Sequence, residues 1–385
     1  MNSFATTQQN LAVRVLPLDG LSEDFLQQWK RLSENSVEPN PFLQPAFILS
    51  QSQHLSSEPE SRLWTVQKPD GQLILLTVLR SVGASSQILF PHLNDKISAY
   101  QFQGGMLLDR RSPRLALMTF LDHLKSTRYR HGMVFSSAGI DAPFSEQLYT
   151  SAALTGFQVQ LHGVWSRASL NLNELDRQRD LLETCVSKNR RKSLRRARGK
   201  LERHGAVSFR VIEHPHDIPG AVRRFLDLEQ RGWKRETGTA MGCDPKHQAF
   251  FESFAHQMSA DQNILFGELL VGEHVVASTC NLIGGDTLFA FKIGWDSELK
   301  EGSPGVWAEI ELANFIAQNK PEIALLNSCS TAGSYLDRLW PHRIAMGNIV
   351  LTQSHRAILY SSVRKTLRSA KRLIWPVTED AVMPS

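Results

Sequence analysis

Two stretches of this chain, far apart, carry the same succession of signals, and a chain that repeats itself is expected to fold into two like units. In the second half, Ile264 to Leu270 and His274 to Ile283 read as strands, Gly284-Gly285 as a hairpin turn, and Thr287 to Trp295 as the next strand. Ser303-Pro304 then opens a helix to about Gln318, and Ile323 to Leu326 is a further strand. In the first half, Arg62 to Gln67 and Gln72 to Val82 are strands around the turn Pro69-Asp70-Gly71. Ser112-Pro113 opens a helix to about Tyr129, and Met133 to Phe135 is a short strand. An offset of 191 residues lays Ser112-Pro113 on Ser303-Pro304 and Phe135-Ser136-Ser137 on Leu326-Asn327-Ser328. The competing explanation is that any two α/β segments share so coarse an order. Ahead of the first copy, Ser22 caps a helix to Leu32 with Phe25, Leu26, Trp29 and Leu32 on one face, and Pro39, Pro41 and Pro45 break the chain into turns.

Length agrees with two units, because 385 residues exceed what one core usually holds. The expected class is α+β (mixed α/β). The expected division is 1–165, 166–355 and a C-terminal tail, 356–385. No apolar run is long enough for a membrane helix, and Met1 to Asn10 has no basic residue to begin a secretory signal. The cysteines Cys185, Cys243, Cys280 and Cys329 are widely spaced, which fits a reducing compartment and a cytoplasmic protein. His214-Pro215-His216 lacks a third ligand at metal spacing, so no metal is expected. Neither a Gly-x-Ser-x-Gly elbow nor a phosphate-binding P-loop is present.

The net charge of +5 conceals one basic element. Residues 188–203 hold nine Lys or Arg against Glu202, a net +8, which leaves −3 for the remainder. The apolar stripe of this helix is only Leu194, Ala197 and Leu201. It reads as a solvated face, as a phosphate-binding face through Arg190 and Arg191, or as a surface for RNA, although the interleaved aromatics of single-strand binders are missing. A second amphipathic segment, Arg356 to Trp375, places Leu359, Val363, Leu367, Ala370 and Ile374 on one face. It suits docking on the protein core, or peripheral contact with an anionic membrane.

Ser303-Pro304-Gly305-Val306-Trp307 opens a helix directly after a strand. First-turn N–H groups have no partner within a helix and lie at the positive end of its dipole, so they can seat a pyrophosphate. An ordinary Pro-started helix has the same look. The first copy has Arg114 where the second has Gly305, and glycine admits close approach of a ligand to the backbone.

Six segments together resemble a known family. They are Asn40 to Pro45; Lys188 to Arg196; Glu229 to Lys234 with Gly238-Thr239-Ala240; Phe291 to Asp296; Ser303-Pro304-Gly305; and Leu339 to Arg343. Their order and spacing are similar to the BioF2-like or CelD-like acetyltransferases, relatives of the FemAB aminoacyl-transferases in the GNAT superfamily. The resemblance spans about residues 20 to 360 and implies tandem GNAT-like domains, the first degenerate. It also implies an acyl-CoA (acetyl-CoA) donor and an amine acceptor, such as an amino sugar of polysaccharide or cell-envelope metabolism. Alternatives are a FemAB-like enzyme using aminoacyl-tRNA, and a non-catalytic scaffold for polysaccharide synthesis. The sequence departs from many relatives at Asn327, where they have Asp, and at Tyr335-Leu336, where they have Tyr-Lys.

Such chemistry mainly positions a neutral amine against a thioester, with a strand N–H polarising the carbonyl and side chains moving protons. On this resemblance Gly294 would splay the strand Leu288 to Trp295, and Trp295, Ser303, Gly305, Val306 and Trp307 would hold the donor. Tyr335 would be the acid, or else a packed tyrosine. Glu268 would be the base, or else a solvent-facing strand residue. Asp296 and Lys292 match the pattern and could equally form a structural ion pair. Trp233 and Lys234 would line the acceptor side.

Overall fold

The structure is a computed structural model that describes residues 11–55, 60–231 and 241–353. Its frame is one 13-stranded sheet. The first half supplies β1 (Ala12–Leu16), β2 (Ser61–Gln67), β3 (Leu73–Val82), β4 (His92–Asn94), β5 (Leu107–Leu108), β6 (Gly132–Gly139) and β7 (Gln158–Asn171). The second supplies β8 (Val207–Ile212), β9 (Ile264–Val271), β10 (His274–Gly284), β11 (Thr287–Trp295), β12 (Leu325–Asn327) and β13 (His342–Thr352). The helices are α1 (Glu23–Glu34), α2 (Pro45–His54), α3 (Pro113–Lys125), α4 (Pro143–Thr155), α5 (Leu181–Cys185), α6 (Lys188–Glu202), α7 (Ile218–Arg231), α8 (Pro245–Ala260) and α9 (Pro304–Asn319).

The repeat seen in the sequence is a structural duplication. Strand, two helices, two antiparallel strands, a parallel pair and a Pro-started helix recur in both halves. Local chemistry explains the boundaries. Ser22 caps α1 by accepting from the Phe25 N–H at 3.3 Å, and Pro45, Pro113, Pro245 and Pro304 all sit in first turns, where no N–H is needed. The helix expected to reach Tyr129 stops at Lys125, where the Ser126 N–H turns back to the His123 carbonyl. The strand expected over 323–326 is Leu325–Asn327.

Helices cover both faces of the sheet. In the second half α7 and α8 lie on one face, over Ile264, Phe266, Leu282 and Phe289. On the other face, α6 and α9 cover Leu265, Leu269, Ala277 and Leu288. Every residue of β9 is buried, as a strand covered on both sides requires. The two halves meet through α2 and α8, where Phe47 packs edge-on to Phe250 at 5.4 Å.

The final strands are exchanged. Along the sheet the order is β6-β13-β7-β12, so β13 lies between two strands of the first half, and β7 reaches β12 of the second. Residues 165 and 166 both fall within β7.

Candidate functional site

The site begins where two parallel strands part. β11 pairs with β12 only from Thr287↔Leu325 to Phe289↔Asn327. Beyond Phe289, β11 keeps β10 on one edge and, among the described residues, has no strand on the other. The β10–β11 register slips at Cys280/Asn281, which leaves Phe291 as an extra residue. The backbone irregularity therefore lies at Phe291 and not at Gly294. Gly294 is glycine for packing, since a Cβ there would stand 3.1 Å from the Glu229 N and 3.2 Å from the Phe225 carbonyl of α7.

α9 starts at the mouth of this opening. Ser303 holds a left-handed turn (φ 53°) that redirects the chain from β11 into the helix. Its carbonyl accepts from the Trp307 N–H at 3.2 Å. Pro304 has no N–H, so Gly305 and Val306 carry the first-turn donors. Gly305 also has a packing role. A Cβ there would meet Trp295 at 3.0 Å and Ile293 at 3.2 Å, so the missing side chain lets α9 seat on β11. Trp307 is buried, with the Arg198 guanidinium 4.8 Å above its ring.

At the base of the opening stand Tyr335 and Glu309. Tyr335 follows β12 in the turn Tyr335–Arg338, which Ser334 caps. Tyr335 is 38 % exposed, while its hydroxyl reaches inward and donates to Glu309 Oε1 at 3.3 Å. Glu309 lies on α9 and is 2 % exposed, and its Oε2 has no partner among the described residues. Burial pushes its carboxyl up to about 7, against a smaller opposing pull from the Tyr335 hydrogen bond. Burial and then the Glu309 charge lift the Tyr335 phenol well above its usual range.

Cys329, in a left-handed turn (φ 53°), is buried nearby, its thiol pushed up to about 12 by burial. Arg167 from β7 fills the gap beyond Asn327. It donates to the Ser330 carbonyl (3.2 Å), the Phe102 carbonyl (2.9 Å) and Asn327 Oδ1 (3.5 Å). With Asn at 327, the Arg167 contacts are all to neutral oxygens.

The opposite face of β11 carries a second group. Lys292 Nζ is 3.0 Å from Glu229 Oε1 and 5.3 Å from the centre of the Tyr100 ring. Tyr100 comes from the first half, and its hydroxyl pairs with His247 Nδ1 at 3.0 Å. Burial and the nearby Glu229 push its phenol up to about 12.

Other expected site residues lie elsewhere. Glu268 is fully buried in β9, but Arg210 binds Oε2 at 2.7 Å and Arg224 binds Oε1 at 2.7 Å. Both oxygens of Glu268 are occupied by guanidiniums, one from β8 and one from α7, so Glu268 is an ion-pair hub. Asp296 accepts from the Glu298 N–H and caps the turn Ser297–Gly302, and Lys292 pairs with Glu229 instead of with it. Arg191 is tied to the carbonyl and carboxylate of Glu183 near α5, and Arg190, half-buried, shares that end of α6. Neither touches the Lys292 group. Trp233, Lys234 and the segment 356–375 lie outside the described residues.

The first half has the corresponding parting, after Asn94↔Val134 of β4 and β6. There Asp95 bridges it, accepting from the Ser136 N–H at 2.7 Å and the Gly105 N–H at 2.9 Å.

Parallel strands that part beside a helix N-terminus, in a sheet built twice, define a GNAT-type acyltransferase fold. Residues 188–324 match the family model described as an acetyltransferase (GNAT) domain, so this segment is a GNAT acyltransferase domain. No curated protein matches the sequence. Among solved structures, FemX aligns with a TM-score of 0.56 at 9 % identity, over 84 % of this chain and 95 % of that one. A conserved protein of unknown function from Bacteroides thetaiotaomicron aligns at 0.55 and 12 %, over 85 % and 97 %. The C-terminal domain of a putative lysylphosphatidylglycerol synthetase from Agrobacterium fabrum aligns at 0.53 and 11 %, over 91 % and 96 %. At these identities the three share the fold. Among the described residues no helix is long and apolar enough to cross a membrane.

Proposed function

We infer that the chain is an acyl-CoA-dependent N-acyltransferase acting in the cytoplasm on a small amine, with an amino sugar as the favoured acceptor class. The observation that carries this reading is the parting of β11 and β12, with α9 at its mouth and Tyr335 at its base. The donor pyrophosphate sits on the Gly305 and Val306 N–H groups, and the acyl arm runs along the unpaired edge of β11 toward the irregularity at Phe291. A backbone N–H there polarises the thioester carbonyl. The amine approaches from the face of Lys292, Glu229 and Tyr100. Its nitrogen bonds to the carbonyl carbon, the carbon–sulfur bond breaks, and Tyr335 protonates the departing sulfur. Residues 166–355 do this work, and 1–165 act as a degenerate copy whose parting is bridged by Asp95.

Solvent-exposed Lys192 and Arg196 on α6, with Arg203 at its C-terminal cap, favour a second reading, an RNA-borne aminoacyl donor. One assay separates them. Incubation with acetyl-CoA and glucosamine is expected to release free CoA thiol and acetylated amine, detected by mass spectrometry and inhibited by added CoA. Transfer from aminoacyl-tRNA that is indifferent to free CoA would overturn the first reading.

A further inference from the structure

Glu309 is a buried carboxyl with one oxygen on the Tyr335 hydroxyl and the other without a partner among the described residues. Its surroundings leave Tyr335 as its main chemical neighbour. On its own helix Glu311 is turned to Arg198 at 2.6 Å. From α6, Arg198 is committed to Glu311, Glu202 and the Trp307 ring. The sheet beneath α9 offers apolar side chains, among them Leu269, Ala277, Leu288 and Ala290, and α5 offers Leu181 and Leu182 with half-buried Cys185. Beyond β12 lie Cys329, a thiol at neutral pH, and Arg167, held by the Phe102 and Ser330 carbonyls. Such a site favours a neutral Glu309, and its charge acts first on the one hydroxyl it touches.

We propose that Glu309 sets when Tyr335 can give up its proton: neutral, it frees the phenol to act as an acid, and ionised, it holds the phenolic proton back. The proposal rests on the acyltransferase reading for its role in turnover, but not for the coupling itself. In the reaction the amine nitrogen forms the C–N bond, the C–S pair goes to sulfur, and sulfur takes the Tyr335 proton. The proton lost by the amine passes to solvent, and the phenolate takes one back from solvent once the products have left the opening. Glu309 stays neutral throughout and donates to the phenolate, so it is a positioning residue. The two ends of the reaction oppose each other in pH, because the amine must be unprotonated while Glu309 must be protonated.

Two measurements test this. The first is the pH dependence of kcat for acetyl transfer from acetyl-CoA to glucosamine in wild type, Glu309→Gln and Glu309→Asp. Wild type and Glu309→Asp are expected to lose rate about tenfold per pH unit above an alkaline limb, and Glu309→Gln to lose the limb. A Glu309→Gln profile that keeps the wild-type limb overturns the proposal. The second needs no turnover: carboxyl-¹³C glutamate NMR of wild type and Tyr335→Phe. One glutamate resonance titrating near neutrality is expected to move to higher pH when the phenol is removed, since the hydrogen bond holds it down. If every such resonance keeps its midpoint, the coupling does not exist. A shift in the NMR without any acetyl transfer would instead sink the acyltransferase reading and leave the coupling standing.

Discussion

At the scale of single residues, the site divides between side chains that can move protons and side chains that are already spent. Tyr335→Phe removes the hydroxyl that donates to Glu309 at the base of the opening, and kcat for acetyl transfer is expected to fall by about 10²-fold, the lower range for one acid–base group. KM for acetyl-CoA should stay within about twofold, because the ring and the α9 donors remain. Glu268→Gln should behave in the opposite way. It breaks a pair whose arginines are partly solvated, at a cost of about 1–2 kcal/mol in urea unfolding, while kcat is unchanged. Tyr335 and Lys292 stand out in the sequence because the order of neighbouring segments marks them. Glu309 was not, since an acid in a helix ordinarily faces water. A signal was present: Gly305, Glu309, Leu312, Ala313 and Ile316 form one buried stripe at helical spacing, with Glu309 in its middle. Gly305 stood out in the sequence, but its contact with Trp295 and Ile293 did not, because that comes from tertiary packing that no local pattern carries.

At the scale of elements, the two partings of parallel strands are managed differently. Asp95 spans the first by taking two backbone N–H groups, and Asp95→Ala would leave the buried Gly105 N–H and the partly buried Ser136 N–H without this acceptor. The expected loss is about 2–6 kcal/mol in urea unfolding, at 1–3 kcal/mol for each orphaned donor. Asp95, Glu38 and Glu309 are all carried by burial from the ordinary carboxylate range up to about 7. These three groups therefore bind more protons in the folded chain than in the unfolded chain between about pH 4 and 7. Stability supplied by these groups is present below that window and declines as pH rises through it. Unfolding free energies at pH 5.5 and 7.5 should differ less in Glu38→Gln than in wild type. The helix starts at Pro113 and Pro304 and the hairpins were readable from turn and cap chemistry. The helical pair α7 and α8, the counterpart of α1 and α2, lay hidden between the basic helix and the β9 strand, because their apolar faces gain meaning only against the sheet.

At the scale of the molecule, the exchange of β7 and β13 makes each half complete only in the presence of the other. Calorimetry is expected to give one unfolding transition, and a fragment of residues 1–165 is expected to remain unfolded by circular dichroism, since it is cut within β7 and lacks β13. The repeat was legible in the sequence, but the exchange was not: strand partners so distant in sequence leave no periodic trace, and both strands show the same alternation whichever half they join. The same exchange brings Arg167, at the end of the first half, beside Asn327 and Ser330 in the second, so the parting of β11 and β12 is held open by both copies.

The central claim is that the second copy, and not the first, receives an acyl-CoA along β11 and at the start of α9. Hydrogen–deuterium exchange with and without acetyl-CoA reads this directly. The account predicts slowed exchange in peptides covering Ala290–Trp295 and Ser303–Trp307, with no change at Ser112–Ala116 in the first copy. Unchanged exchange at both second-half peptides, or protection confined to the first copy, would contradict it.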